Sequence, residues 1–313
     1  MIFGLVLVSG CVVESAQPTE GDDDSKADNP NSTTANTPFA FHSGRESSGA
    51  FDVTNAYELA RLCDLSYLNE SDVGPALASR GIDLSAGHFR AFSDSSTHAY
   101  AFYVETLGTA FVVFRGTDDW LNWSEDFEIG PSTEVIGLVH EGFQMVLDSV
   151  WRGQGLADYV RQRQAANPSL PLYVTGQSMG AALATIATAR ALYESPTISV
   201  AALYSLASPR VGNATFSNTL AGGMRDSGTF FARVVNQCDP VTNVPVRAGP
   251  PAYVPFYEHV SLGLDENDFV YWLPPSGPVT RSISLTACPP AGYDFYFAEH
   301  KPMAYVEALA KQL

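Results

Sequence analysis

Short apolar runs alternate with amphipathic stretches along the chain from about residue 51 to its end. The runs that predict strands are rich in Val, Phe, Tyr and Leu, and they lie at 100–104, 111–114, from about 172, at 200–206 and at 230–235. Two further runs, at 253–257 and 269–273, fit a hairpin. Helical spacing predicts a helix capped at Asn55, with Glu58 completing a capping box, and a long helix over 142–165. This alternation predicts one α/β domain with a mostly parallel central sheet and helices on both faces.

The first 50 residues have a different composition. Residues 12–50 are rich in small and polar side chains and poor in large apolar ones, which predicts a disordered linker before a domain over 51–313. Residues 1–11 contain an apolar run and end in Val-Ser-Gly-Cys, which resembles the lipobox of bacterial lipoproteins, where the cysteine is lipidated. We favour a lipid anchor at Cys11 that holds the protein to a membrane of the cell envelope; the alternative is a cleaved signal peptide and a secreted protein. Because the run is short and no Lys or Arg precedes it, we expect the true translation start upstream of Met1.

Charge and motif content limit the partners and cofactors. The chain has 313 residues, a formal net charge of -17 and 45% hydrophobic residues, which is enough for an ordinary buried core. No basic stripe is present to replace phosphate counterions, so nucleic acid is not an expected partner. Metal-ligand spacings and a dinucleotide fingerprint are absent from the sequence, so we expect no metal and no organic cofactor. No obligate protein partner is implied.

The most informative motif is Thr-Gly-Gln-Ser-Met-Gly at 175–180. It joins a predicted strand to an Ala-rich predicted helix, so a Gly-x-Ser-x-Gly element lies at a strand-to-helix turn. Such a turn exposes the serine hydroxyl, and its glycines let the strand and the helix approach each other closely. Ser178 is therefore the candidate nucleophile. The backbone N–H of Met179, at the start of the helix, is a candidate donor to an oxyanion.

A nucleophilic serine needs a base and a carboxylate that orients the base. Asp239 follows the predicted strand at 230–235 and would emerge at its carboxyl end, where such sites form. Two histidines lie downstream: His300 is in a loop before the last predicted helix, and His259 is in the predicted hairpin. We favour His300 as the base and interpret His259 as a polar group packed near the core. His140 precedes the serine along the chain and is interpreted as structural.

Five motifs, in this order along the chain, resemble those of the class 3, or fungal-type, triacylglycerol lipase family. They are Phe114-Arg115-Gly116-Thr117, Val139-His140-Glu141-Gly142-Phe143, Val174-Thr175-Gly176-Gln177-Ser178-Met179-Gly180, Ser208-Pro209-Arg210-Val211-Gly212 and Val235-Asn236-Gln237-Cys238-Asp239-Pro240-Val241. The resemblance covers about 51–313 and implies the α/β-hydrolase fold. It maps the family's nucleophile to Ser178, its acid to Asp239, its base to His300 and its second oxyanion donor to Thr117.

Two positions depart from the family's motif around the nucleophile. Gln177 replaces the family's usual His before the serine, and Ala181 replaces a Gly after it. These replacements leave the three candidate catalytic side chains in place but would reshape their surroundings.

An aromatic-rich segment follows Thr117. Its apolar residues include three aromatic side chains at helical spacing, and the candidates for a movable lid are Trp120, Leu121, Trp123 and Phe127. The alternative is a fixed helix that buries these side chains in the core.

The cysteines after the N-terminal segment suggest two states. Cys63 lies on a helical apolar face and is expected to be a buried thiol. Cys238 and Cys288 flank the candidate acid and base, and a disulfide between them is possible in an exported protein.

The motifs and the resemblance together imply a serine carboxylester hydrolase. It would cleave acylglycerols or related carboxylic esters at a lipid interface, through an acyl-enzyme on Ser178. The alternatives are a phospholipase A1, an aryl or feruloyl esterase or, in a different class, an inactive hydrolase-fold binding module.

Overall fold

A mixed eight-stranded sheet forms the centre of the molecule. The computed structural model describes residues 37–45, 50–85, 87–117, 130–245, 257–260, 270–274, 278–282 and 297–313. In chain order the strands are β1 Phe89–Asp94, β2 Ala99–Thr106, β3 Thr109–Phe114, β4 Pro131–Glu134, β5 Gly137–His140, β6 Leu172–Gln177, β7 Ala202–Leu206, β8 Phe230–Asn236, β9 Val270–Leu273 and β10 Thr280–Ser282. The order across the large sheet is β1-β2-β3-β6-β7-β8-β9-β10, while β4 and β5 form a separate hairpin.

The middle of the large sheet is parallel. Strands β3, β6, β7, β8 and β9 run parallel to one another, and the pairs β1-β2, β2-β3 and β9-β10 are antiparallel. Every residue of β3, β6 and β7 is buried, as expected for parallel strands whose two faces are both covered. The predicted α/β architecture with a mostly parallel sheet is confirmed, because helices pack on both faces.

Seven α-helices are described in these ranges. They are α1 Val53–Leu65, α2 Glu70–Ser79, α3 Glu141–Asp148, α4 Leu156–Ala166, α5 Met179–Tyr193, α6 Ala214–Ser227 and α7 Pro302–Ala310. Helices α3 to α6 contribute to the hydrophobic core on one face of the sheet, and α1, α2 and α7 contribute to the core on the other. Among the described residues, no helix combines the length and the apolar character needed to cross a bilayer.

The prediction of one long helix over 142–165 is wrong. Helix α3 continues into a π-helical turn at Ser149–Gly153, and α4 begins only at Leu156. Between them Gly155 has a φ of 76°, a left-handed conformation that a glycine adopts at no steric cost and that ends a right-handed helix. The amphipathic pattern continues across the break because both segments pack on the same face of the sheet.

The predicted end of the linker at residue 50 is also wrong. Residues 37–45 pack against the domain, with Phe39 and Phe41 buried in the core and their rings edge-on to Phe111 at centroid distances of 5.6 and 4.8 Å. The composition of 12–50 as a whole is polar, but these two aromatic side chains stabilise the attachment of its last part. Residues 1–36, including Cys11, lie outside the described residues.

The predicted capping box of Asn55 and Glu58 is wrong, because both side chains bind the N-terminal segment instead. Asp52 caps α1 by accepting a hydrogen bond from the Asn55 N–H, so the helix begins before Asn55. Asn55 and Glu58 instead accept hydrogen bonds from the backbone N–H groups of His42, at 2.8 Å, and Ala40, at 3.2 Å. Both side chains satisfy backbone donors of the N-terminal segment.

The hairpin predicted between 253–257 and 269–273 falls largely on residues that the structure does not describe, and its described part, β9, has other neighbours. Strand β9 pairs with β8 on one edge and β10 on the other, so neither edge is open to a further strand. Residues 253–256 lie outside the described residues. Strand β1 and the β4-β5 hairpin, which the apolar pattern did not predict, have only one or two buried residues in each strand and lack a continuous buried run.

Candidate active site

Ser178 lies at the sharp turn between β6 and α5. Its φ of 60° and ψ of -129° form a strained combination for a residue with a side chain, costing about 1–3 kcal/mol. The turn also depends on its glycines. A Cβ on Gly176 would lie 2.2 Å from the carbonyl oxygen of Gly180, and a Cβ on Gly180 would lie 2.2 Å from that of Phe114. The motif spacing therefore follows from close contacts among β6, α5 and β3.

The structure brings Ser178, His300 and Asp239 together although they are far apart in the sequence. Ser178 Oγ lies 2.7 Å from His300 Nε2, and His300 Nδ1 lies 2.9 and 3.0 Å from the two carboxylate oxygens of Asp239. All three side chains are buried, and Asp239 has no exposed surface. This arrangement can move a proton from the serine hydroxyl to the imidazole and hold the resulting cation against a carboxylate.

Strand ends and one short turn position these groups. Ser178 follows β6, and Asp239 follows β8 after Gln237, whose φ of 48° redirects the chain. Both therefore lie at the carboxyl edge of the parallel strands. His300 ends the 3-10 turn Phe297–His300, directly before α7.

Asp239 has two further donors besides His300. The hydroxyl of Tyr305 donates to Asp239 Oδ2 at 2.7 Å, and the backbone N–H of Val241 donates to Oδ1 at 3.0 Å. Burial, with the nearby charge of Asp239, raises the pKa of Tyr305 well above its usual value, so the phenol stays protonated and donates. The Tyr305 hydroxyl also accepts from the backbone N–H of Asn236 at 3.0 Å. Sequence reasoning did not identify Tyr305; the only signal was its inward position on the last helix.

The turn that bears His300 also accepts hydrogen bonds from the loop that contains Asp239. Asn236 Nδ2 donates to the carbonyl oxygen of Glu299 at 3.1 Å, and the Cys238 N–H donates to the Glu299 carboxylate at 3.0 Å. Burial and the charge of Asp239 raise the pKa of Glu299, although the hydrogen bond from Cys238 opposes this shift. These contacts fix the turn next to Asp239.

The two candidate oxyanion donors lie near the candidate nucleophile, Ser178. Met179 is the first residue of α5, and N–H groups in the first turn of a helix lack an intrahelical acceptor. Thr117 follows β3 and is half-buried. A Cβ on the preceding Gly116 would lie 2.7 Å from the carbonyl oxygen of Gln177, so the loop after β3 packs directly against the turn that bears Ser178.

His259 and His140, which the sequence analysis also considered, make different contacts. His259 Nε2 lies 2.8 Å from the carbonyl oxygen of Thr242. His140 caps α3, where its Nδ1 accepts from the Gly142 N–H at 3.2 Å, and burial lowers its pKa to about 4. The neutral, capping state of His140 agrees with its interpretation as structural.

Several predicted features lie on residues that the structure does not describe. The lid candidates Trp120, Leu121, Trp123 and Phe127 are outside the described residues, and so is Cys288. Cys238 is disulfide-bonded to a partner that is likewise outside them, so the pairing of Cys238 with Cys288 stays a prediction.

Cys63 is a free and buried thiol, as expected. Its Sγ lies 3.6 Å from Thr175 Oγ1, and burial raises its pKa to about 12, so it stays protonated. Within the described ranges, no group of three or more His, Cys, Asp or Glu side chains could hold a metal ion.

Comparison with known proteins places this site in a family context. The sequence profile of the family described as Lipase (class 3) matches residues 111–248. A lipase of Rhizopus niveus is 31% identical over 159 residues, which are 48% of this chain and 38% of that protein. The secreted mono- and diacylglycerol lipase 1 of Fusarium solani is 34% identical over 178 residues, which are 56% and 46%. The chain thus covers less than half the length of each relative.

The fold is similar to that of solved fungal lipases. A structure of a fungal lipase-inhibitor complex aligns with a TM-score of 0.59 and 19% identity, over 80% of this chain and 96% of that one. At this identity the match supports the fold, whereas the contacts described above come from this chain's own residues.

Proposed function

We propose that this chain, whose residues 111–248 match the sequence profile of the class 3 lipase family, is a serine hydrolase that cleaves carboxylic esters, with acylglycerols as substrates. One observation carries the proposal: Ser178 Oγ lies 2.7 Å from His300 Nε2, while His300 Nδ1 lies 2.9 Å from Asp239 Oδ2. In this order the imidazole can take the hydroxyl proton and the carboxylate orients the imidazole, which is the arrangement that nucleophilic catalysis by a serine requires.

The reaction proceeds in two halves. Ser178 Oγ attacks the ester carbonyl carbon while His300 Nε2 takes the hydroxyl proton, and Asp239 stabilises the imidazolium. The tetrahedral intermediate then collapses, the bond to the alcohol oxygen breaks, and His300 returns the proton to the departing alkoxide. In the second half a water molecule attacks the acyl-enzyme, His300 accepts its proton, and Ser178 leaves as the free hydroxyl when the carboxylic acid departs.

The oxyanion of each tetrahedral intermediate needs donors that are in place before the reaction. We assign this role to the backbone N–H groups of Met179 and Thr117, since α5 begins at one and the loop packed against the nucleophile turn contains the other. Loss of one such donor typically costs about 3–4 kcal/mol of transition-state stabilisation.

Charge and the relatives favour neutral lipid esters. A net charge of -17 repels anionic headgroups, whereas acylglycerols carry no charge. The Fusarium solani relative is named as a mono- and diacylglycerol lipase, which supports this substrate class. The aromatic segment with Trp120, Leu121, Trp123 and Phe127 is a lid candidate for contact with a lipid interface.

The N-terminal region fits export followed by attachment. The Fusarium solani relative is named as secreted, which supports export of this chain. We assign residues 1–11 to a signal segment with lipidation at Cys11, residues 12–36 to a linker and residues 37–313 to the catalytic domain. Incorporation of radiolabelled palmitate into the wild type but not into Cys11→Ser tests the anchor; equal labelling, or none in either protein, contradicts it.

The activity is tested with a panel of substrates and an inactive blank. p-Nitrophenyl esters, triacylglycerols and phospholipids are each offered to the wild type and to Ser178→Ala. We expect turnover of the nitrophenyl esters and acylglycerols by the wild type alone, and slower turnover of anionic phospholipids. A folded wild type that exceeds the blank on none of the substrates would favour an inactive binding module.

A further inference from the structure

Gln177 forms hydrogen bonds to two parts of the site and has no role in the proton transfer described above. Its side chain is 1% exposed and lies directly before Ser178, at the end of β6. Its Oε1 accepts from the hydroxyl of Tyr67 at 2.6 Å, and its Nε2 donates to the backbone carbonyl oxygen of His300 at 2.5 Å. The amide thus contacts both the turn after α1 and the turn that bears the candidate base.

The hydrogen bond from Gln177 to His300 comes from a different element than the hydrogen bonds to Glu299 in the same turn. Asn236 and Cys238 hold Glu299 from the loop that carries Asp239, which fixes the histidine turn relative to the acid. Gln177 belongs to the strand that carries the nucleophile. Its hydrogen bond therefore sets the backbone of His300 relative to Ser178, across the distance over which the proton moves.

The chemistry of a primary amide suits this connection. It donates through nitrogen and accepts through oxygen at the same time, and neither function titrates between pH 4 and 10. The hydroxyl of Tyr67 occupies the amide oxygen, and this contact selects the orientation in which the nitrogen points to His300. Because the side chain is almost fully buried, it has no surface with which to contact a substrate.

We propose that Gln177 is a positioning residue that, with Tyr67 orienting its amide, keeps the imidazole of His300 within proton-transfer distance of Ser178. This inference rests on the proposed hydrolase function. It places the effect of Gln177 on the rate of the chemical step and not on the binding of the ester. Where the family usually has a histidine, this chain has an amide whose hydrogen bond to His300 does not depend on pH.

The test uses two single variants, their combination and a matched control. Gln177→Met keeps a similar volume but removes both hydrogen bonds, and Tyr67→Phe removes only the hydroxyl. The control is Gln144→Met, because the half-buried Gln144 also accepts through oxygen, from Ser132, and donates through nitrogen, to Thr133, outside the site.

Steady-state kinetics with p-nitrophenyl butyrate should separate positioning from binding. We expect kcat to fall roughly 10- to 100-fold in Gln177→Met, because a misplacement of about 1 Å can cost 100-fold, while KM changes less than about twofold. Tyr67→Phe should lower kcat less. The double variant should be no slower than Gln177→Met alone, since both changes break one linked contact. Gln144→Met should keep the kcat of the wild type.

A second measurement does not depend on activity. Hydrogen–deuterium exchange of the backbone amides from 297 to 306 should quicken in Gln177→Met and in Tyr67→Phe but not in Gln144→Met. A wild-type kcat and unchanged exchange in Gln177→Met would overturn the proposal, and so would a purely additive double variant. If the wild type hydrolyses no ester, the proposed function fails and the exchange data alone decide whether Gln177 holds this turn.

Discussion

Tyr305→Phe removes one oxygen that connects the candidate acid to the end of β8. The hydroxyl donates to Asp239 Oδ2 at 2.7 Å and accepts from the Asn236 N–H at 3.0 Å, and Tyr305 is completely buried. Phenylalanine fills the same space without this oxygen. The substitution therefore isolates two hydrogen bonds from the packing of α7 against α1.

The two lost contacts set the size of the effect. A hydrogen bond to a charged group contributes about 1.5–3 kcal/mol, and a buried donor left without an acceptor costs about 1–3 kcal/mol. Because both terms involve one atom and do not add fully, we expect the free energy of unfolding to fall by about 2–4 kcal/mol. His300 Nδ1 contacts both oxygens of Asp239, so the imidazole stays oriented and kcat should fall no more than about tenfold.

Urea unfolding followed by tryptophan fluorescence, together with ester hydrolysis, measures both effects. The matched control is Tyr193→Phe, which removes a hydroxyl that donates to the carbonyl oxygen of Thr219 at 2.9 Å near the surface. We expect the control to lose less than about 1 kcal/mol. A loss in Tyr305→Phe no larger than in the control would show that this hydroxyl does not support Asp239.

Three further predictions test the fold around the site. Burial lowers the pKa of His140 from 6.5 to about 4. Between pH 6.5 and pH 4 the unfolded chain therefore binds a proton that the folded chain does not. The free energy of unfolding should fall by about 3 kcal/mol as the pH drops through this range. His140→Asn keeps a capping acceptor without titrating and should flatten this part of the pH–stability curve; an unchanged slope in urea titrations contradicts the assignment. Arg190→Met leaves the buried carboxylate of Glu134 without its partner and should cost about 3–5 kcal/mol in urea unfolding, partly restored by adding Glu134→Gln, and a loss under about 1 kcal/mol would be inconsistent with a buried pair. Gly180→Ala places a Cβ 2.2 Å from the last carbonyl oxygen of β3 and should destabilise the fold strongly, whereas Gly222→Ala, whose Cβ meets nothing closer than 3.9 Å, should stabilise it by about 0.5–1 kcal/mol; thermal melts that rank these two variants the other way would refute the packing of the turn.

Much of the fold could be predicted because its signals are local. A fully buried parallel strand such as β3 has a continuous apolar run in its sequence, and the order of such runs with the helices implies the sheet. The turn that bears Ser178 has room only for glycine at Gly176 and Gly180, so the spacing of the motif predicts the geometry of the backbone. The approach of Asp239 to Ser178 follows because both residues come after parallel strands whose carboxyl ends share one edge of the sheet. His300 reaches them from the turn before α7.

The features that were missed depend on contacts between distant parts of the chain. Gly155 breaks an amphipathic pattern that continues on both sides, and the pattern alone does not distinguish a break from a tolerated glycine. Phe39 and Phe41 are two apolar residues in a polar segment, and only the surface of the folded domain shows what buries them. The hydroxyl of Tyr305 meets Asp239 across 66 residues of sequence. No spacing rule reports such a pair.

Labelling with a fluorophosphonate probe tests whether Ser178 is an activated nucleophile. The probe reacts with a serine whose proton can be taken by a neighbouring base, so it reports the arrangement at Ser178 without any assumption about the substrate. We expect peptide mass spectrometry of the folded wild type to find the adduct on Ser178, no adduct in Ser178→Ala, and far slower labelling of His300→Ala. A folded wild type that does not react, or an adduct that persists in Ser178→Ala, would mean that Ser178 is not the nucleophile.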